Sequence, residues 1–135
     1  MSGDIRFILD FDSTLVRVET LELMADLVPD GAKTRARIRE ITDAAMDGRM
    51  DFRVALEERL KILHFHRDLL PKLVARLQEE VSPSFLRNRA FLAAHADRIY
   101  VVTSGFREVV EPVIKSLGLK PDNLHANTQI GRAHV

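Results

Sequence analysis

Apolar residues fall along this chain in two rhythms. Residues 5–9 form a short apolar run that ends at Asp10, the pattern of a buried parallel strand feeding a loop at its carboxyl end. From residue 19 to about residue 78 the spacing turns helical. Leu21, Met24 and Val28 mark a first helix that Pro29-Asp30-Gly31 stops. Ile38, Ile41 and Ala45 line a second, highly charged helix ending at Asp47-Gly48, where glycine suits a left-handed cap. Asp51 is the N-cap of a third helix carrying Phe52, Leu56, Leu60 and Leu63. Leu69 or Leu70, Leu73, Val74 and Leu77 form a fourth. Four short amphipathic helices in succession describe a small bundle.

Ser82-Pro83-Ser84 breaks this pattern, and one helix is predicted over residues 85–94. The run Ile99-Tyr100-Val101-Val102 reads as a second strand ending in Thr103-Ser104-Gly105. A helix over residues 107–117 turns Val109, Val110, Val113 and Leu117 inward and is closed by Gly118, and a third strand begins within residues 123–127. Strand, helices, strand, helix, strand is an α/β order. Right-handed crossovers make the strands parallel, with their carboxyl ends on one edge and the helical segment inserted over it. Residues 130–135 have no periodicity and match the in-frame translation of a widely used sequencing adapter, so they are read as adapter read-through.

Composition narrows the function. Lysine plus arginine and aspartate plus glutamate both number 20, so no net field recruits nucleic acid or an acidic membrane surface. The absence of cysteine excludes disulfide staples and thiolate metal sites. No apolar run has the length of a bilayer span, and the first residues lack a charged leader with an apolar core. The expectation is a cytoplasmic protein acting on a small anionic molecule through a local site.

That site is expected at the strand ends. In extended backbone, residues i and i+2 share a side, so Asp10 and Asp12 face one space while Phe11 turns back to the core. Two carboxylates so close need either a raised pKa on one or a cation between them. Magnesium suits such a place, because it takes one or two carboxylates together with phosphate oxygens. A carboxylate can attack phosphorus to form an aspartyl-phosphate, and a second carboxyl group can protonate the leaving oxygen. Asp-x-Asp is also common in solvated turns, and the apolar strand before the pair with Ser13-Thr14-Leu15-Val16 after it is what makes the signal specific.

Asp10-Phe11-Asp12-Ser13-Thr14-Leu15-Val16, followed by Glu19-Thr20, resembles the first motif of the haloacid dehalogenase superfamily and, within it, the phosphoserine phosphatase branch. The resemblance implies a Rossmann-like parallel-sheet core, incomplete here, over residues 1–15 and 84–129. It also implies a four-helix-bundle-type cap over residues 16–83. Val102-Thr103-Ser104-Gly105-Phe106 is similar to the second motif, with Thr103, Ser104 and Gly105 as phosphate-binding residues. Ser104 stands where the nearest members of that branch usually carry glycine. Ala44-Ala45-Met46-Asp47-Gly48-Arg49-Met50-Asp51-Phe52 is similar to the segment of the cap that recognises substrate. By resemblance, Arg59 pairs with the substrate carboxylate, Glu19 holds its ammonium, and Phe52 with Met46 shields the site. The alternatives are a surface charge for Arg59, beside Glu57 and Glu58, and a helix-start acid for Glu19.

The implied function is phosphomonoester hydrolysis, foremost of O-phosphoserine in serine biosynthesis. Asp10 is the nucleophile, Asp12 the general acid and base, and Mg2+ is held by Asp10 and the Asp12 backbone carbonyl. Two further readings are a phosphatase of the same superfamily for another small metabolite and a catalytically dead phosphate-binding module. The family also requires a downstream lysine and an acidic pair. Neither follows Thr103, since Lys115 lies within a helix, Lys120 precedes Pro121 in a turn and Asp122 stands alone. The chain as it stands is therefore expected to be inactive. On a helix His64 and His66 would diverge, and they could chelate a metal together only in an extended segment, so surface or partly buried histidines are the expectation.

Overall fold

A computed structural model of the chain describes residues 5–127; the suspected read-through segment 130–135 lies outside the described residues. Three strands, β1 (Phe7–Leu9), β2 (Ile99–Phe106) and β3 (Leu124–Asn127), form one parallel sheet in the order β1-β2-β3. Phe7 pairs with Ile99, Leu9 with Val101, and Val101 in turn with Leu124. Strand residues alternate in direction. Ile99, Val101 and Leu124 are buried on one face, whereas Ile8 and Val102 on the other are 74% and 47% exposed. Two right-handed crossovers taken in the same sense along a sheet place their helices on one face, which accounts for this asymmetry.

The expected helices form, with two differences. The first, α1 (Thr20–Ala25), stops before Val28. The amides of Asp26, Leu27 and Val28 bond three residues back, to Leu23, Met24 and Ala25, which tightens the turn and ends the helix. Asp30 then takes a left-handed conformation, and α2 (Gly31–Met46) begins at a glycine packed so closely that a Cβ there would lie 2.6 Å from the Ala25 carbonyl oxygen. Ile38, Ile41 and Ala45 are its buried stripe, and Gly48 follows at φ +78°. The third helix, α3 (Phe52–Leu63), is capped as expected, Asp51 accepting from the Arg53 and Val54 amides. The fourth, α4 (Leu70–Glu79), buries Leu73 and Leu77 completely.

The second difference is that the predicted helix over 85–94 is two pieces, α5 (Pro83–Arg87) and α6 (Arg89–Ala94), parted at Asn88. The Asn88 backbone leaves the helical region there (φ −103°, ψ +21°), and its amide and side chain both donate to the Ser84 carbonyl, at 3.1 and 2.7 Å, which caps α5. After β2, α7 (Arg107–Ser116) turns Val109, Val110, Val113 and Ile114 into the core.

The helices between residues 20 and 79 join the sheet through a narrow neck. Val16 and Val81 form an antiparallel bridge, Arg17 N donates to the Glu80 carbonyl at 2.8 Å, and Ser82 N donates to that of Leu15 at 2.9 Å. Both chain crossings are thereby tied side by side. Beyond the neck, α4 lies against α7, and one apolar cluster runs from Leu23, Ile38 and Leu63 through Leu73 and Leu77 to Val109 and Ile99. The helical segment is thus anchored through its last helix. A small separate cluster of Ile41, Ala45 and Ala55 joins α2 to α3 farther out.

Candidate active site

The loop after β1 is shaped by its own backbone. Leu9 is level with Val101, so Asp10 emerges beside Val102 and one residue from Thr103 on the neighbouring strand. Phe11 is fully buried and accepts from the Val16 amide at 3.2 Å, while Ser13 takes φ +58° and donates its amide to the Val18 carbonyl at 3.1 Å. This tight turn sets Asp10 and Asp12 in different surroundings. Asp10 is exposed, and its Oδ1 accepts from the Phe11 amide at 2.8 Å. Asp12 is half-buried, and its Oδ1 accepts both the amide of Thr20, at 2.8 Å, and the Thr20 hydroxyl.

The surroundings of Asp12 also act on its charge. Burial pushes the Asp12 carboxyl above the usual carboxylate range; the two Thr20 bonds pull it down, and the charges of Glu19 and Asp10 add to the rise. A carboxyl group so placed holds a proton more readily than an ordinary aspartate, as a general acid requires. Thr20, 6% exposed at the start of α1, was not singled out from sequence. Its only sequence signal is its place directly after Glu19.

At the end of β2, the Gly105 amide donates to Thr103 Oγ1 at 3.0 Å, and the Ser104 carbonyl accepts from the Asn127 side chain of β3 at 2.7 Å. Pairing with β3 shifts register between Val102 and Phe106, so the residues of this motif lie in a locally irregular stretch. Such a stretch frees backbone groups that a regular ladder would consume. Asn127 was also missed, because a tie across the sheet leaves no mark in local sequence.

The helical segment supplies the remaining candidates. Glu19 accepts from the Ser13 hydroxyl at 2.5 Å. Arg59, half-buried on α3, donates Nε to the Ala55 carbonyl and Nη1 to the Thr42 hydroxyl, both at 3.1 Å. Burial lowers the Arg59 pKa, and the negative charges of Glu19 and Asp12 are near enough to oppose that shift. The fold therefore brings Arg59 within electrostatic reach of the two acids, although they are far apart in sequence. Met46 closes α2 and Phe52 opens α3, and these side chains are 71% and 65% exposed. His64 and His66 are both exposed, and His66 Nδ1 accepts from the Asp68 amide.

Among the described residues, Asp10, Asp12 and Glu19 form no salt bridge, and no group of three or more His, Asp or Glu side chains is arranged to hold a metal. One Asp10 oxygen is free of protein hydrogen bonds there. A free carboxylate oxygen is a hard donor of the kind magnesium takes, one or two at a time, while keeping most of its waters.

The family model for haloacid dehalogenase-like hydrolases matches residues 7–134. The phosphoserine phosphatase of Rattus norvegicus is 30% identical over 118 residues, covering 87% of this chain and 51% of the rat protein. That of Streptococcus thermophilus is 32% identical over 121 residues, covering 89% and 53%. Among solved structures, a phospho-aspartyl intermediate analogue of phosphoserine phosphatase aligns with TM-score 0.63 at 29% identity, over 92% of this chain and 56% of the other. A phosphoserine phosphohydrolase-like protein from Francisella tularensis has TM-score 0.78 at 24% identity, over 90% and 57%, and likens the folds alone. The chain spans about half the length of the relatives it matches. By its fold, its two motif-bearing strand ends and the extent of the family match, this chain belongs to the haloacid dehalogenase-like hydrolases.

Proposed function

We infer that the protein hydrolyses a small phosphomonoester, with O-phosphoserine as the substrate that its residues fit best. The observation that carries this reading is the division of labour between two neighbouring acids: an exposed Asp10 carboxylate, and an Asp12 carboxyl that burial keeps prone to protonation. Asp10 attacks phosphorus, and the bond from phosphorus to the serine oxygen breaks as Asp12 gives that oxygen its proton. Asp12, now a carboxylate, takes a proton from water, whose oxygen attacks the aspartyl-phosphate and releases inorganic phosphate and free Asp10. Thr103, through its hydroxyl, and Ser104, through its backbone amide, hold phosphate oxygens in this reading, and Gly105 joins them when its amide turns from Thr103 Oγ1 to the phosphate. Glu19 and Arg59 address the ammonium and carboxylate of the substrate, and Met46 and Phe52 exclude water above it. Magnesium, when bound by Asp10 and the Asp12 carbonyl, neutralises charge on the phosphate.

The division into a core of residues 1–15 and 84–129 and a cap of residues 16–83 belongs to the same reading, supported by the neck that ties Leu15 and Arg17 to Ser82 and Glu80. So does the inactivity of the chain as it stands, because no cation of the described residues pairs with either acid. Incubation of the 135-residue chain with O-phosphoserine and Mg2+ is expected to release phosphate no faster than the Asp10→Asn variant. Turnover near that of an intact relative would contradict the inactivity. In the chain extended to natural length, beryllofluoride is expected to be trapped on Asp10 in the presence of Mg2+. Failure of that trapping would sink the nucleophile assignment.

A further inference from the structure

Arg59 is gripped on one side and open on the other. Its Nε is spent on the Ala55 carbonyl one turn back along α3, and one Nη1 proton is spent on Thr42 of α2. A guanidinium has five N–H donors, so three remain, all on Nη1 and Nη2. One proton on Nη1 and two on Nη2 are thus left for a carboxylate, whereas the edge containing Nε is closed.

The Thr42 hydroxyl is equally constrained. It donates to the Ile38 carbonyl at 3.0 Å. A hydroxyl has one proton, so with that proton committed the oxygen faces Arg59 only as an acceptor. Both side chains are half-buried, where rotation away into water is restricted. Among the described residues Arg59 forms no salt bridge, and its side-chain hydrogen bonds are those to Ala55 and Thr42 alone.

We propose that Thr42 is a positioning residue whose hydroxyl fixes the Arg59 guanidinium so that its remaining Nη protons meet the carboxylate of an amino-acid phosphate. The proposal rests on the assignment of Arg59 made above. Thr42 thereby contributes to specificity without touching substrate, by confining a long side chain whose free rotation would dilute the competent orientation. A purely structural tie between α2 and α3 would stabilise the helices and leave ligand choice unchanged.

The test uses ligand binding by the 135-residue chain, followed by NMR at millimolar ligand. O-phosphoserine is compared with O-phosphoethanolamine, which lacks only the carboxylate. Thr42→Val keeps the shape of the side chain and removes the acceptor. It is expected to weaken O-phosphoserine binding about tenfold, the loss of one charge-assisted hydrogen bond, and to leave O-phosphoethanolamine binding unchanged. Thr42→Ser is expected to restore the preference, and the Arg59 Nη resonances are expected to broaden in the Val variant alone. Equal weakening of both ligands, or no change for either, overturns the proposal. Arg59→Ala separates the two levels. If it abolishes the preference while Thr42→Val does not, only the positioning role falls; if it leaves the preference intact, the Arg59 assignment itself falls.

Discussion

β1 and β2 are neighbours of similar apolar composition, paired residue for residue, yet they are buried very differently. β2 lies between two strands and buries Ile99 and Val101, while β1 is an edge on which Phe7 remains 40% and Ile8 74% exposed. The difference continues within β2 itself, where Val101 is 1% exposed and the adjacent Val102 is 47% exposed. Parallel sheets are ordinarily covered on both faces, and their strands are apolar for that reason. Here one face is covered by helices and the other leaves Arg6, Ile8, Val102 and His125 exposed, with Tyr100 half-buried and Arg6 over its ring. Apolar character in a strand therefore reports the cover that the fold calls for, and burial reports the cover that the described residues supply.

The covered side should be the costlier to disturb. Leu77 is fully buried where α4 meets α7, the contact that anchors the helical segment. Leu77→Ala is expected to destabilise by about 2–5 kcal/mol, read from the urea midpoint at constant m. An effect below about 1 kcal/mol would mean that the helical segment and sheet do not fold as one unit. Val101→Ala, on the inner face of β2, should follow with a loss of about 2 kcal/mol.

Much of this was legible because it is written in local sequence. The stripes Ile38, Ile41, Ala45 and Leu73, Leu77 announce their helices through spacing, and Asp51 announces a start through its carboxylate. The positions of Asp10 and Thr103 followed from the rule that parallel strands end on one edge. What escaped depends on partners distant along the chain. Thr20 closes on Asp12 across eight residues, Asn127 on Ser104 across 23, and Arg59 on Thr42 across 17. The break at Asn88 escaped for a different reason, since a change of backbone angles at one polar residue leaves the apolar spacing of 85–94 unchanged.

The carboxyl ends of the strands also bear Asp12, and its burial predicts a pH effect. Burial raises Asp12, so below the ordinary carboxylate range it is protonated in both folded and unfolded states and imposes no penalty. As pH rises through that range toward the raised folded value, the unfolded chain ionises first and the folded state loses stability. Asp12→Asn keeps the oxygen that accepts from Thr20 and removes the ionisation. The variant is expected to gain stability over the unaltered chain above this window and nothing below it, by a smaller margin than the Leu77 loss. Urea midpoints measured against pH in EDTA would show it, and a constant difference across pH would contradict the assignment of burial as the dominant cause.

The smallest expected effect is the sharpest check on the comparison of the two faces. Val102 and Ile8 present as much aliphatic surface as the buried residues beside them, so a reading by hydrophobicity alone ranks them with Val101. Area removed from water is what stabilises, at roughly 25 cal/mol per Å2, and little is removed at Ile8. Ile8→Thr keeps β-branching and strand preference, so only burial is tested. It should change stability by less than about 0.5 kcal/mol in the 135-residue chain. A loss comparable to that of Val101→Ala would show that the open face is covered in solution, and concentration dependence of the midpoint would then identify the cover as a second copy.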